Sequence, residues 1–103
     1  MYGNNDECAA LEAVAGHLRV DLAPPPRQFE WAGRRVTVVH DPKLLAATTG
    51  VDLVLHGHEH RLVIERAGGR LRFNPGECAG HMAGLNAVGI VELRTLSVEL
   101  LRF

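Results

Sequence analysis

Apolar side chains recur at Leu11, Val14, Ala15 and Leu18, the i, i+3, i+4, i+7 spacing of one helix face. The spacing predicts an amphipathic helix over residues 7–19, with Asn5 or Asp6 ahead of it accepting from its free N–H groups. Pro24, Pro25 and Pro26 cannot continue it and form an extended connector. From Gln28 to His40 the pattern changes, because β-branched and aromatic residues flank Ala32-Gly33. This predicts a hairpin whose second strand ends at His40. Residues Pro42 to Thr48 form a short helix candidate, with Asp41 as its cap, Pro42 at the favoured first position and Gly50 as its end. Val51 to Leu55 is the aliphatic run of a strand buried on both faces. It leads directly into His56-Gly57-His58-Glu59-His60.

Arg61–Glu65 and Arg70–Phe73 bracket Ala67-Gly68-Gly69, a second hairpin signal. Asn74-Pro75-Gly76-Glu77 has Pro and Gly where a type II turn needs them. A Gly-rich loop over 79–86 precedes two last strands, Ala87–Leu93 and Leu96–Phe103, with a turn near Thr95. Helices this few around this many strands make an α/β or α+β domain with a sheet at its centre.

Composition narrows the function classes. The 103 residues, 47% apolar and 22% charged, describe a folded globule of one small domain. Eleven basic residues stand against twelve acidic ones, a net charge of −1, which removes the broad basic field of a nucleic-acid or anionic-membrane binder. Nucleic acid is therefore expected only as a substrate. No apolar run nears the roughly 18 residues of a membrane span, and the N-terminus has no signal-peptide pattern, so a soluble cytoplasmic protein is expected. Cys8 and Cys78 stand in no metal-pair spacing, which argues against a disulfide scaffold or a Cys-ligated site. Both are expected to be structural thiols, Cys8 on the helix's apolar face. What stands out is six histidines against one tyrosine.

In an extended segment, His58 and His60 would lie on one side, roughly 6–7 Å apart, which suits two imidazoles aimed at one metal or at adjacent metals. The alternative is a polar loop with solvated histidines. Gly57 is expected to admit a close approach of ligand or backbone. His40 also ends an apolar strand, at the edge where functional residues of α/β sheets collect; otherwise it neighbours the cap of the next helix. Asn4 offers a neutral carbonyl oxygen to a divalent cation, or is simply a turn residue. His56 is expected on the outer face of its strand, His17 at the negative end of the helix dipole, and His81 in a solvated loop or, alternatively, lining the substrate side. Trp31 is expected to pack within the first hairpin.

Gly3-Asn4-Asn5-Asp6, a His closing a strand, Gly57-His58-Glu59-His60 after a buried strand, and Asn74-Pro75-Gly76 beyond it follow one another in an order that resembles the calcineurin-like metallophosphoesterase superfamily. Within it the chain is most similar to the small bacterial and archaeal phosphodiesterases that share their fold with the retromer subunit Vps29. The resemblance implies an αββα sandwich with a two-metal site at its strand ends, hydrolysing phosphate esters. It implies that Asn4, His40 and His58 ligate one metal and His60 the other. It places Asn5 where many relatives carry a histidine, so contact with a substrate phosphate is its expected role, with Asp6 as its neighbour. Asp41 stands where the family usually has a glycine.

The family's pattern also has an Asp-x-His and a Gly-Asp upstream of the Gly-Asn segment, and Asp6, Asp21, Asp41 and Asp52 stand in neither context. The expectation is that residues 1–103 form the C-terminal part of one N-terminally truncated α/β domain. A metal-dependent phosphodiesterase acting on a small phosphodiester is then expected of the full-length parent, with Mn²⁺, Zn²⁺ or iron preferred by imidazole ligands. This chain alone would hold one cation or none and be weakly active or inactive. An unpaired sheet edge would favour homo-oligomers. The alternative function is a non-catalytic, Vps29-like protein-interaction module; a histidine-rich metal site that only holds the fold together is a third reading.

Overall fold

The computed structural model describes residues 1–45 and 50–103. Helix α1 runs over Cys8–Leu18, one residue inside the predicted span at each end. Its start differs from expectation: Glu7 occupies the cap position without a side-chain bond, and Asp6 instead turns back to accept from the Gly3 amide at 2.5 Å. Asp6 thus closes the Gly3–Asp6 turn and leaves the helix uncapped. Of the apolar stripe only Ala15 is buried, while Val14 and Leu18 are exposed, as is Cys8. The cysteine expected on a packed face therefore stands open.

Strands β1 (Arg27–Trp31) and β2 (Arg34–Val39) form the predicted hairpin around Ala32-Gly33, with Phe29 and Trp31 stacked at 4.6 Å. Beyond it Asp41 accepts from the Lys43 amide at 2.9 Å and caps a single 3₁₀ turn, Pro42–Leu44. The rest of the helix predicted to Thr48 lies outside the described residues. Strands β3 (Leu53–His56), β4 (Val63–Ala67) and β5 (Arg70–Asn74) follow, the last two joined through Gly68 and Gly69, both at positive φ. A two-residue hairpin of that kind needs φ > 0 at both central positions, and glycine reaches it without steric cost.

The strands join in the order β1-β2-β3-β5-β4, with β2, β3 and β5 parallel at the centre and an antiparallel strand at each edge. Parallel central strands are covered on both faces, which explains why Val36 and Thr37, successive residues that point to opposite faces, are both buried in β2, as is Val39. Strands β6 (Ala87–Glu92) and β7 (Ser97–Arg102) form a separate antiparallel pair. They pack on one face of the large sheet, where Val91, Leu93, Val98 and Leu100 meet a buried cluster of Val36, Leu53, Leu71, Phe73 and Leu96. Gly89 sits directly over the Phe73 ring, where an added Cβ would lie 2.2 Å from Cζ. Glycine is there to let the ring lie flat against the strand.

The end of the sandwich where β2 begins is stitched by polar contacts. Arg34 donates to the carbonyls of Leu93 (2.9 Å) and Arg94 (2.7 Å), and Arg66 to that of Leu96 (2.6 Å). Glu92 closes the same turn by accepting from the Arg94 and Thr95 amides and the Thr95 hydroxyl. No described helix is long and apolar enough to cross a membrane.

Candidate functional site

Three neighbouring parallel strands end together at the opposite edge. β2 delivers His40, β3 delivers His56 and the segment after it, and β5 delivers Asn74. The parallel register pairs Val39 with His56, so His40 lies beside Gly57 and its carbonyl accepts from the Gly57 amide at 3.1 Å. The loop before α1 closes the group. Tyr2, buried, donates to Glu12 at 2.6 Å and ties that loop to the helix, which holds Asn4 over His40.

The segment 57–60 is not the extended run that a two-residue spacing suggests. The Glu59 amide bonds back to the Gly57 carbonyl at 2.8 Å, with His58 between them at φ 67°, and His60 also has positive φ, 48°. An i→i+2 turn with a positive-φ centre is rare, and non-glycine residues held in this region cost about 1–3 kcal/mol each. The turn sends the two imidazoles to different partners instead of to one side.

His58 faces His40, with its Nδ1 3.3 Å from His40 Nε2 and the rings edge-on. The same His40 Nε2 lies 2.6 Å from Asn4 Oδ1. Asn4 presents that oxygen because its amide nitrogen donates to Asn5 Oδ1 at 3.3 Å. An amide oxygen and two imidazole nitrogens thus converge, with His40 Nε2–H donating to the Asn4 oxygen. Among the described residues no group of three or more His, Cys, Asp or Glu side chains is placed to hold one ion; this cluster is two imidazoles and an amide. On its far side His58 Nε2 lies 3.8 Å from the Asp41 carboxylate.

His60 turns instead toward Glu77, its Nδ1 2.5 Å from Glu77 Oε2. Glu77 is buried, and its other oxygen accepts from the amides of Ala79 (2.7 Å) and His81 (3.3 Å). The hydrogen bond from His60 holds the Glu77 carboxyl below the usual carboxylate range, against the opposing pull of burial. His81 is exposed in its loop, as expected, with its ring 5.9 Å from that of His60. Sequence reading gives Glu77 only a place in a turn. Its signal was a carboxylate directly after Asn-Pro-Gly, in a segment that must return beneath the second histidine.

Asn74, fully buried, is likewise more than the first residue of a turn. Its amide donates to the Gly57 carbonyl at 3.0 Å and its oxygen accepts from Gly76, so one side chain fixes both the approach to His58 and the turn that carries Glu77. His56 is buried rather than on an outer face: it lies 3.2 Å from the Gly57 carbonyl through Nδ1 and accepts from Arg72 through Nε2. Burial, reinforced by the Arg72 charge, pushes its pKa down. The close approach assigned to Gly57 belongs to Gly3, where a Cβ would stand 3.2 Å from His40 Cε1; at Gly57 it would meet the ring at an ordinary 3.9 Å.

Residues 1–96 match the calcineurin-like phosphoesterase superfamily domain. A phosphodiesterase of Methanocaldococcus jannaschii is 42% identical over 41 residues, 40% of this chain and 25% of that protein. The solved structure of an archaeal phosphodiesterase superimposes with a TM-score of 0.81 at 25% identity, over 99% of this chain and 66% of the other. Vps29 from Entamoeba histolytica shares the fold alone, with a TM-score of 0.52 at 16% identity over 76% of this chain and 60% of its own. The chain therefore spans a quarter of the curated relative and just under two thirds of the solved phosphodiesterase. With its mixed α/β sandwich and the polar groups gathered at its strand ends, this chain belongs to the calcineurin-like phosphoesterase superfamily.

Proposed function

We propose that the chain carries part of the site of a metal-dependent phosphodiesterase, in which Asn4, His40 and His58 hold one divalent cation, His60 serves a second, and Asn5 contacts a substrate phosphate. The observation that carries this is the convergence of Asn4 Oδ1, His40 Nε2 and His58 Nδ1. Two nitrogens bound to one ion at about 2.0–2.1 Å stand about 3.3 Å apart in a tetrahedral set. The two imidazole nitrogens are 3.3 Å apart. The Asn4 oxygen, hydrogen-bonded to His40 at 2.6 Å, would move back by some tenths of an ångström as a cation replaced the shared proton; a neutral set dominated by imidazole favours Mn²⁺, Zn²⁺ or iron over Mg²⁺.

When bound, divalent cations supply Lewis acidity toward the phosphoryl group and make water nucleophilic at neutral pH. The residues themselves do the positioning. His40, whose Nε2 meets the Asn4 oxygen, carries its proton on Nδ1 when it ligates. The strained turn at His58 aims that ring, and the buried Asn74 amide holds the turn's carbonyl so that the strain persists. Asn5 receives the Asn4 amide on its oxygen and keeps its own amide hydrogens for a phosphate oxygen. Asn5 has no acid proton to give a leaving group, so its contribution is binding.

The complete two-metal reaction on a small phosphodiester is proposed for the whole domain in the cytoplasm, with a weak or null rate for these 103 residues alone. The gathering of an amide oxygen and two imidazole nitrogens at one point favours this reading over a non-catalytic interaction module, which has no use for it. Hydrolysis of a chromogenic phosphodiester by the whole domain is expected to require added Mn²⁺ or Zn²⁺ and to vanish in His58→Ala. For the chain itself, excess Mn²⁺ is expected to raise the melting temperature, EDTA to reverse the rise, and His58→Ala to abolish it. Hydrolysis and melting both indifferent to cations would refute the proposal.

A further inference from the structure

We infer that Glu77 is a positioning residue for His60, fixing which ring nitrogen faces the cation and lending the site a negative charge that its direct donors lack. The inference rests on the proposed cation site and adds the group that orients its isolated histidine. The His60 side chain is 54% exposed, whereas that of Glu77 is 1% exposed. An exposed imidazole alone would sample several rotamers and both neutral tautomers. Here a carboxylate that cannot move holds its Nδ1 at 2.5 Å. Nδ1–H donates to Glu77, and Nε2 is left with its lone pair facing outward.

Glu77 is itself held from three directions. Ala79 and His81 donate to Oε1, and its main-chain carbonyl accepts from the Ala87 amide at 2.7 Å, at the start of β6. The segment bearing His81 and the His60 ring are therefore tied to one anchor. A carboxylate behind a ligating histidine fixes the tautomer and raises the basicity of the other nitrogen, and its removal typically costs ten- to a hundredfold in metal affinity. Asn4, His40, His58 and His60 are neutral as ligands, so Glu77 supplies the carboxylate charge directly behind His60.

The test compares wild type, Glu77→Gln and Glu77→Asp by two readings. Nitrogen-15 NMR of the His60 ring, without metal and well above the ordinary histidine pKa, is expected to show the Nδ1–H tautomer in wild type. A mixture of tautomers is expected in Glu77→Gln, with Glu77→Asp restoring part of the preference. Calorimetric titration with Zn²⁺ is expected to show the binding event that His60→Ala removes about ten- to a hundredfold weaker in Glu77→Gln, partly recovered in Glu77→Asp. Amide NMR spectra that superimpose away from residues 57–62 and 76–82 establish that each variant folds. An unchanged tautomer and unchanged affinity in Glu77→Gln overturn the inference while leaving the cation site standing. Failure of wild type to bind Zn²⁺ overturns the cation site and the affinity role together, whatever the tautomer.

Discussion

The two ends of the sandwich use their polar groups in opposite ways. Where β2 begins, each polar side chain described closes a bond with a nearby backbone: Arg34 and Arg66 reach the carbonyls of the β6–β7 turn, and Glu92 gathers the amides of the same turn. Where β2 ends, His58 and His60 have positive φ, and the Asn4 oxygen and ring nitrogens of His40 and His58 meet one another rather than the backbone. Positive φ occurs at both ends, at Ala32 and Leu96 as well as at His58 and His60; one end uses its polar groups to hold the sheets together, the other to aim side chains at one another. The buried aliphatic cluster between them bears the cost of that backbone, which is how a small domain tolerates it. Substitutions should therefore separate into those that change stability and those that change binding.

The largest expected effect on stability lies between the two ends. Leu71→Ala, at a fully buried site, should cost about 2–5 kcal/mol by chemical denaturation. Any cation affinity measured on the folded fraction should stay unchanged. Next is His58→Gly, where the account predicts opposite signs. Glycine accepts the positive φ freely, so the cation-free protein should gain about 1 kcal/mol while cation affinity falls at least about a hundredfold. Loss of stability together with binding would mean that the rim is ordinary structure. Gly89→Ala should cost about 1–3 kcal/mol because the new methyl overlaps the Phe73 ring, again without touching affinity.

The smallest effect belongs to the far end and reads out through pH. Hydrogen bonds from Thr95 hold the Glu92 carboxyl below its ordinary value. A carboxyl with a depressed folded pKa contributes stability above its unfolded value of about 4.3, and that contribution disappears as pH falls through the folded value. Glu92→Gln should therefore lose stability near neutrality and flatten the acid limb of the melting-temperature profile relative to wild type. A profile parallel to wild type would show that the turn does not depend on the charge.

Much of this was legible along the chain because it follows from local chemistry. The period of Leu11, Val14, Ala15 and Leu18 gives α1, Ala32-Gly33 and Gly68-Gly69 give two hairpins, and the apolar run before His56 gives the buried β3. The four segments that resemble the superfamily also led to its sandwich, which the family match and the structural neighbours support. What sequence could not supply is side-chain direction where the backbone leaves its usual regions. A strand-like period at His58 and His60 predicts one shared side, but positive φ at both sends one to His40 and the other to Glu77. Glu77 and Asn74 read as turn residues because their partners lie 17 positions away. The helix cap failed for a related reason: Asp6 found a nearer donor in Gly3.

The central claim is that Asn4, His40 and His58 form one donor set for a divalent cation. Calorimetric titration of Mn²⁺ into wild type and into His40→Ala tests it most directly, with matching circular dichroism of the two proteins as the control for folding. The account predicts saturable binding by wild type and a loss of affinity of at least about a hundredfold in His40→Ala, about 2.7 kcal/mol or more. Equal binding by the two proteins, or no binding by wild type, would contradict it.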